Sequence, residues 1–290
     1  MSHSDVTPYL EMEGICPNPV FVIGSPRSGT TALAQALNRH PDLRVGKESY
    51  VLHDFFGRNK PTRVWENQMN RVTPCWLEFE KVEHDEFLAF LGLGMNALFS
   101  SRSEGKRWID QTPLYTPMVD TLALMFPGAS FVHIVRDGRH VVRSMVNFER
   151  KFDEQQLADA QPNEIPQWSN DFAQGCGTWS HWVASALDFG DAHPDRCLTV
   201  SNEELSADPE SGFAAVQQFL GLDPHPGSAR FFGKKRINSS WKGEPARPGD
   251  DDWLGWDGER RRVFVETAGE TMVRAGYTSP AELEEWAHAG

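Results

Sequence analysis

The chain has 290 residues, 39% of them hydrophobic and 24% charged, and a formal net charge of -13. That charge argues against general affinity for nucleic acid or an anionic membrane, so any anion it binds needs a local basic cluster. No apolar run reaches the roughly 20 residues that span a bilayer, and the start, Met1-Ser2-His3-Ser4-Asp5, lacks a basic stretch ahead of an apolar core, which sets the expectation of a cytoplasmic enzyme.

Apolar strand-like runs alternate with helical patterns, the signature of a parallel sheet flanked by helices, and the length suits one α/β domain over 1–290. After an N-terminal extension, 1–17, the first unit is a strand from Val20 to Ile23, a glycine loop, and a helix from Thr30 to Asn38 closed by His40-Pro41. Leu43 to Val45 reads as a short strand, and Glu86 to Phe99 as a helix with apolar Phe87, Leu88, Leu91 and Met95. Trp108 to Asp110 is a strand end ahead of the breaker Thr112-Pro113. The run Ser130 to Val135 is a continuous apolar strand that leads through Arg136-Asp137-Gly138 into a helix from Arg139 to Glu149. A helix around Trp179 to Phe189 precedes a strand at Cys197 to Val200, and Ser211 to Gly221 is a helix with a glycine stop. Two segments, 153–169 and 239–258, resist regular assignment and read as lid or acceptor loops. The four cysteines form no CxxC pair and the ten histidines no HxH or HExxH pair, so neither a disulfide framework nor a metal site is predicted.

The stretch Gly24-Ser25-Pro26-Arg27-Ser28-Gly29-Thr30-Thr31 lies between the first strand and its helix. A strand, GxxxxG and a helix turn backbone N–H groups and a helix N-terminus toward one point, where an anion is favoured. In nucleoside-triphosphate loops a lysine follows the second glycine; here Thr30 holds that place and the positive charge sits inside the loop, on Arg27. The plain alternative is a glycine turn before a hydroxyl-rich helix start. Arg136, at the C-terminal end of a parallel strand, points to the edge where such sheets bind ligands, and its planar fork suits a phosphate; pairing with a carboxylate is the alternative. His140 and Ser144 are four apart and share a helix face, so Ser144 can add a hydroxyl contact.

PRSGTT between strand and helix resembles the 5′-phosphosulfate loop of sulfotransferases that use PAPS, 3′-phosphoadenosine 5′-phosphosulfate. Phe131 to Ser144, a strand ending in Arg136 with a serine eight residues on, is similar to that family's 3′-phosphate segment. Asn202 to Pro209 followed by Phe219-Leu220-Gly221-Leu222 looks like a further family segment, with Ser201-Asn202 in place of its arginine and tyrosine, and Arg236 to Lys242 resembles a serine-bearing loop that closes over the nucleotide. The likeness covers roughly residues 18 to 245.

The resemblance implies a three-layer, P-loop-like α/β fold and transfer of a sulfuryl group from PAPS, without a metal, to a hydroxyl of a small or medium-sized acceptor. It assigns the nucleotide to Arg27, Ser28, Gly29, Thr30, Thr31, Arg136, Ser144, Ser239 and Ser240, with Arg27 also stabilising the leaving phosphate. The stretch from His40-Pro41-Asp42 to Glu48 is similar to the region that carries the catalytic glutamate of tyrosylprotein sulfotransferases, which makes Glu48 the expected base and His53 the reserve. Relatives carry a lysine where this chain has Gln111, so an assisting cation comes from elsewhere, with Lys47 as one candidate. The region Tyr50 to Trp76 and the Trp241 to Trp256 loop are expected to wall the acceptor pocket, the alternative being that these tryptophans are core. A nucleotide or small-molecule kinase and a nucleotide-binding protein without turnover share the same cradle, and the oligomeric state stays open.

Overall fold

Val20-Phe21-Val22-Ile23 is covered on both faces, each residue 0–1% exposed, as a strand with neighbours on either side and helices above and below must be. In the computed structural model, which describes residues 13–146, 148, 166–169, 171–233 and 255–288, this run is the central strand β1 of a five-stranded sheet. The other strands are β2 (Leu43–Val45), β3 (Arg107–Asp110), β4 (Ser130–Val135) and β5 (Cys197–Ser201), all parallel, in the order β2-β3-β1-β4-β5. Val20 lies opposite Ser130 and Ile23 opposite His133, which sets the ends of β1 and β4 side by side.

Alternate residues of each strand serve opposite faces. Phe21, with Trp108 and Phe131, packs into a cluster shared with Leu88 of α5 (His84–Ser100), Leu122 of α6 (Val119–Met125) and Phe189 of α8 (Phe172–Ala192). Phe21 is the hub, its ring 5.4 Å from Trp108 and 5.5 Å from Phe131. Val20 and Val22, with Val132 and Ile134, meet Leu33 and Leu37 of α1 (Thr30–Leu37) and Phe213 and Val216 of α10 (Pro209–Phe219) on the other side. A third cluster joins Val135 to α7 (Gly138–Val146), to Trp179 and Val183 of α8, and to Phe264 and Met272 of α12 (Gly258–Arg274). It braces the C-terminal end of β4, where Trp179 donates its indole N–H to the carbonyl of Arg136 at 3.2 Å.

All five strands stand where the sequence places them to within a residue. The structure adds α2 (Val51–Phe56), α3 (Lys60–Met69) and α4 (Trp76–Phe79) between β2 and β3, a 3-10 turn at Pro113–Met118 with α6 after it, α9 (Asn202–Ala207) after β5, α11 (Gly227–Phe232), and from residue 258 on both α12 and α13 (Pro280–His288). Among the described residues no helix is long and apolar enough to cross a membrane.

Candidate active site

Because β1 has β3 on one side and β4 on the other, the connections leaving β1 and β4 diverge, and their first residues face the crevice between. The glycine loop fills that crevice by close packing. At Gly24 a Cβ would stand 2.5 Å from the carbonyl oxygen of Ile134 in β4, so only glycine fits. The Gly24 N–H donates to Thr116 Oγ1 at 2.8 Å, and that hydroxyl donates back to the Gly24 carbonyl at 3.0 Å. Gly29 caps α1 at φ 105° with no side-chain cap, which leaves the first N–H groups of the helix, those of Thr30 and Thr31, without an intrahelical acceptor. The Ser28 amide is used inside the loop, donating to Ser25 O at 3.1 Å. The Ser28 hydroxyl is buried and meets no hydrogen-bond partner.

Arg27 has φ 72°, a left-handed conformation that a side chain resists. It aims the residue across the crevice: Nε donates to Ser144 Oγ of α7 at 3.0 Å, and the guanidinium lies over the Phe148 ring at 5.6 Å. Arg136 Nη1 reaches the Arg27 carbonyl at 3.5 Å. Both guanidiniums have lowered pKa values, in each case first through burial, and Arg27 further through the charge of Arg136. Two desolvated cations in one crevice, beside uncapped amides and an orphaned hydroxyl, form a receptor for an anion. Asn202 of α9 buttresses it, its side-chain N–H donating to Ser28 O at 3.1 Å. Arg139 is ion-paired to Asp137 at 2.6 Å and stays out of the crevice pair.

A cavity of about 560 Å³ is lined by Thr31 and Gln35 of α1 and by Lys47, Glu48, Tyr50 and Gln111, among others. Glu48 accepts a hydrogen bond from the Tyr50 phenol, whose pKa is raised first by burial and then by that carboxylate. The backbone carrying Glu48 is tied down at Ser49: its N–H donates to Thr112 Oγ1 at 3.0 Å and its hydroxyl to Asp110 Oδ2 at 2.7 Å, within 2.6 Å of the Tyr115 hydroxyl. Asp110, at the end of β3, also accepts from the Thr112 N–H and hydroxyl; burial raises its pKa against these bonds. Gln111 is 5% exposed and its side-chain oxygen has no partner. Lys47 is exposed and lines the cavity, whereas His53 sits in α2 beside Asp54 at 3.4 Å.

The structure thus brings Arg27, Ser28, Gly29, Thr30, Arg136 and Ser144 into one crevice, and joins it through Thr31 to the cavity that Glu48 lines. Ser239, Ser240, Trp241 and most of 153–169 and 239–258 lie outside the described residues. The expectation that Trp256 walls an acceptor pocket is corrected: it is 7% exposed and packs on Phe172 and Phe264 in the third cluster. Asn202, Thr116 and the Ser49–Asp110–Tyr115 lattice had no local signal, since each acts on a partner at least 60 residues away in sequence.

A model of the sulfotransferase family matches residues 19–226. Protein-tyrosine sulfotransferase A of Caenorhabditis elegans is 24% identical over 204 residues, which cover 70% of this chain and 50% of that protein. Protein-tyrosine sulfotransferase 1 of Danio rerio is 26% identical over 204 residues, covering 70% of this chain and 53% of its own length. The chain therefore spans about half the length of these curated relatives. The crystal structure of sulfotransferase STF9 from Mycobacterium avium aligns with a TM-score of 0.51 at 13% identity, over 92% of this chain and 79% of that one, a likeness of fold.

Proposed function

The chain belongs to the sulfotransferase family, and we propose that it transfers the sulfuryl group of PAPS to the hydroxyl of an acceptor, releasing the 3′,5′-bisphosphate PAP. The observation that carries this reading is the meeting of Arg27 and Arg136 across the crevice between β1 and β4. The residues present fit the donor: the loop has no room for a Cβ at Gly24, the amides of Thr30 and Thr31 are uncapped, and the Ser28 hydroxyl is buried without a partner.

When bound, the donor supplies a sulfuryl group already activated by its link to a phosphate. The work left to the protein is positioning and electrostatics. Arg136 and Ser144 hold the 3′-phosphate end, and Thr30 and Thr31 the 5′-phosphate end. Arg27 neutralises charge that builds on the leaving phosphate as its bond to sulfur breaks. Glu48 takes the proton of the acceptor hydroxyl as the new oxygen–sulfur bond forms. The lattice under Ser49 supports that role, because it fixes the backbone on which Glu48 stands.

The cavity beside Glu48 has a volume suited to a small or medium-sized acceptor. Since the curated relatives carry protein tyrosine in their names, a phenolic hydroxyl is the first acceptor to assay with labelled PAPS. Calorimetry with PAP, adenosine 5′-phosphate and ATP tests the donor. PAP is expected to bind at least about tenfold more tightly than adenosine 5′-phosphate, the worth of one charge-assisted contact. Equal affinities, or a preference for ATP, would remove PAPS as the donor.

A further inference from the structure

Arg136 forms no ion pair among the described residues, and its polar contact is the Arg27 carbonyl. Yet Glu203 in α9 accepts from the N–H of Asp137, the residue next to Arg136, and its charge, ahead of that of the Arg139-paired Asp137, opposes the fall in the Arg136 pKa that burial causes. A mobile carboxylate beside a desolvated guanidinium closes on it and occupies the fork that a phosphate needs. Glu203 is not mobile in this sense, because three donors hold it. The Asp137 N–H donates to Oε1 at 3.2 Å, the Ser201 hydroxyl to Oε2 at 3.1 Å and the Tyr277 hydroxyl to Oε2 at 2.7 Å.

The shortest of the three comes from outside the family match, which ends at residue 226. Tyr277 follows the end of α12, where Gly276 at φ 79° reverses the chain and the Tyr277 N–H closes on the carbonyl of Met272 at 3.0 Å. Met272 is fully buried in the third cluster, so the phenol is delivered to Glu203 by a packed helix end. Burial, and then the charge of Glu203, keep the phenol protonated and hence a donor.

We propose that Tyr277 is a positioning residue that holds the Glu203 carboxylate off Arg136, so that Arg136 stays available to a phosphate monoester on the nucleotide; this rests on the reading of Arg136 as the 3′-phosphate anchor. Without the phenol, Glu203 keeps two neutral donors and turns toward the cation, competing with the ligand. The device acts on one phosphate and not on nucleotide binding at large.

The test is calorimetric titration of PAP and of adenosine 5′-phosphate into the wild type, Tyr277→Phe, Glu203→Gln and the double variant. In Tyr277→Phe the Kd for PAP is expected to rise about tenfold, the size of a lost charge-assisted hydrogen bond, with the Kd for adenosine 5′-phosphate unchanged. Glu203→Gln keeps an acceptor for the Asp137 N–H but cannot pair with a cation, so the double variant is expected to recover the wild-type PAP affinity. Equal weakening of both ligands by Tyr277→Phe, or a double variant that stays weak, would overturn the proposal and leave the donor assignment standing. Should Tyr277→Phe not fold, Glu203→Gln alone decides: PAP binding at least as tight as wild type is expected, and weaker binding overturns the idea. A wild type that binds both ligands alike would overturn the 3′-phosphate reading of Arg136 and this proposal with it.

Discussion

Gly29 couples the phosphate loop to α9, and the coupling has a calculable size. At φ 105° and ψ 14°, a side chain meets the left-handed penalty of about 1–2 kcal/mol. An added Cβ would also stand 2.4 Å from Asn202 Nδ2. That amide must then move and give up its 3.1 Å bond to Ser28 O, worth about 1 kcal/mol. Gly29→Ala is therefore expected to cost about 2–3 kcal/mol of folding free energy, and Asn202→Ala about 1 kcal/mol for the same lost bond. In the double variant the clash is gone and the bond is lost only once. Its cost stays near that of Gly29→Ala alone, a departure from additivity of about 1 kcal/mol. Urea unfolding of the four proteins, followed by tryptophan fluorescence, measures it. Additive costs would refute the claim that the Asn202 amide is what blocks position 29, and a Gly29→Ala within about 0.5 kcal/mol of wild type would refute the backbone argument as well.

Glu48→Gln is expected to lower turnover by about 10²–10⁴-fold, the usual worth of a positioned base, with PAP affinity unchanged; normal turnover removes Glu48 from that role. His133, fully buried in β4 with Nδ1 3.1 Å from Thr199 Oγ1 and Nε2 without a partner, has its pKa pushed down from 6.5 to about 3 by burial. The unfolded chain then binds a proton that the folded chain refuses, so stability is lost as pH falls below 6.5, at about 1.4 kcal/mol per pH unit from this residue. The wild type is expected to lose about 2 kcal/mol more than His133→Gln between pH 6.5 and pH 5 in urea unfolding, and parallel losses would show that His133 does not carry the effect.

What could be read from the chain alone follows from where its signals are local. β1 and β4 are continuous apolar runs because both their faces are covered, and the GxxxxG loop announces itself because Gly24 and Gly29 have backbone reasons to be glycine. Arg136 could be placed at the sheet edge from its position after β4 alone. Between β2 and β3 the apolar spacing announces α5, whereas α2 to α4 gave no such cue: α3 is mostly polar and buries Pro61 alone. α12 carries a local signal, Phe264, Ala268 and Met272 at spacings of four, all fully buried, set among charged residues. Tyr277 is the kind of residue sequence reasoning misses, since its importance comes from a contact 74 residues away.

The place of the positive charge is the physical ground for the nucleotide proposed above. In a triphosphate loop the lysine stands at the first turn of the helix and serves charge concentrated at one end of the ligand. Here that position is Thr30, 3% exposed, with its methyl packed against the space above Gly24. The charge has moved into the loop, onto an arginine held in a strained conformation and bonded to Ser144 on the helix that follows β4. Arg27 is thereby brought toward Arg136, and each is desolvated while the second adds repulsion to the first. Such a pair is relieved fully only by a ligand that brings negative charge to both ends of the crevice. On the proposed reading a nucleotide phosphorylated on 3′ and 5′ oxygens does so, whereas a 5′-phosphate alone would quiet one cation and leave the other beside Glu203, which the proposed hold of Tyr277 keeps off Arg136.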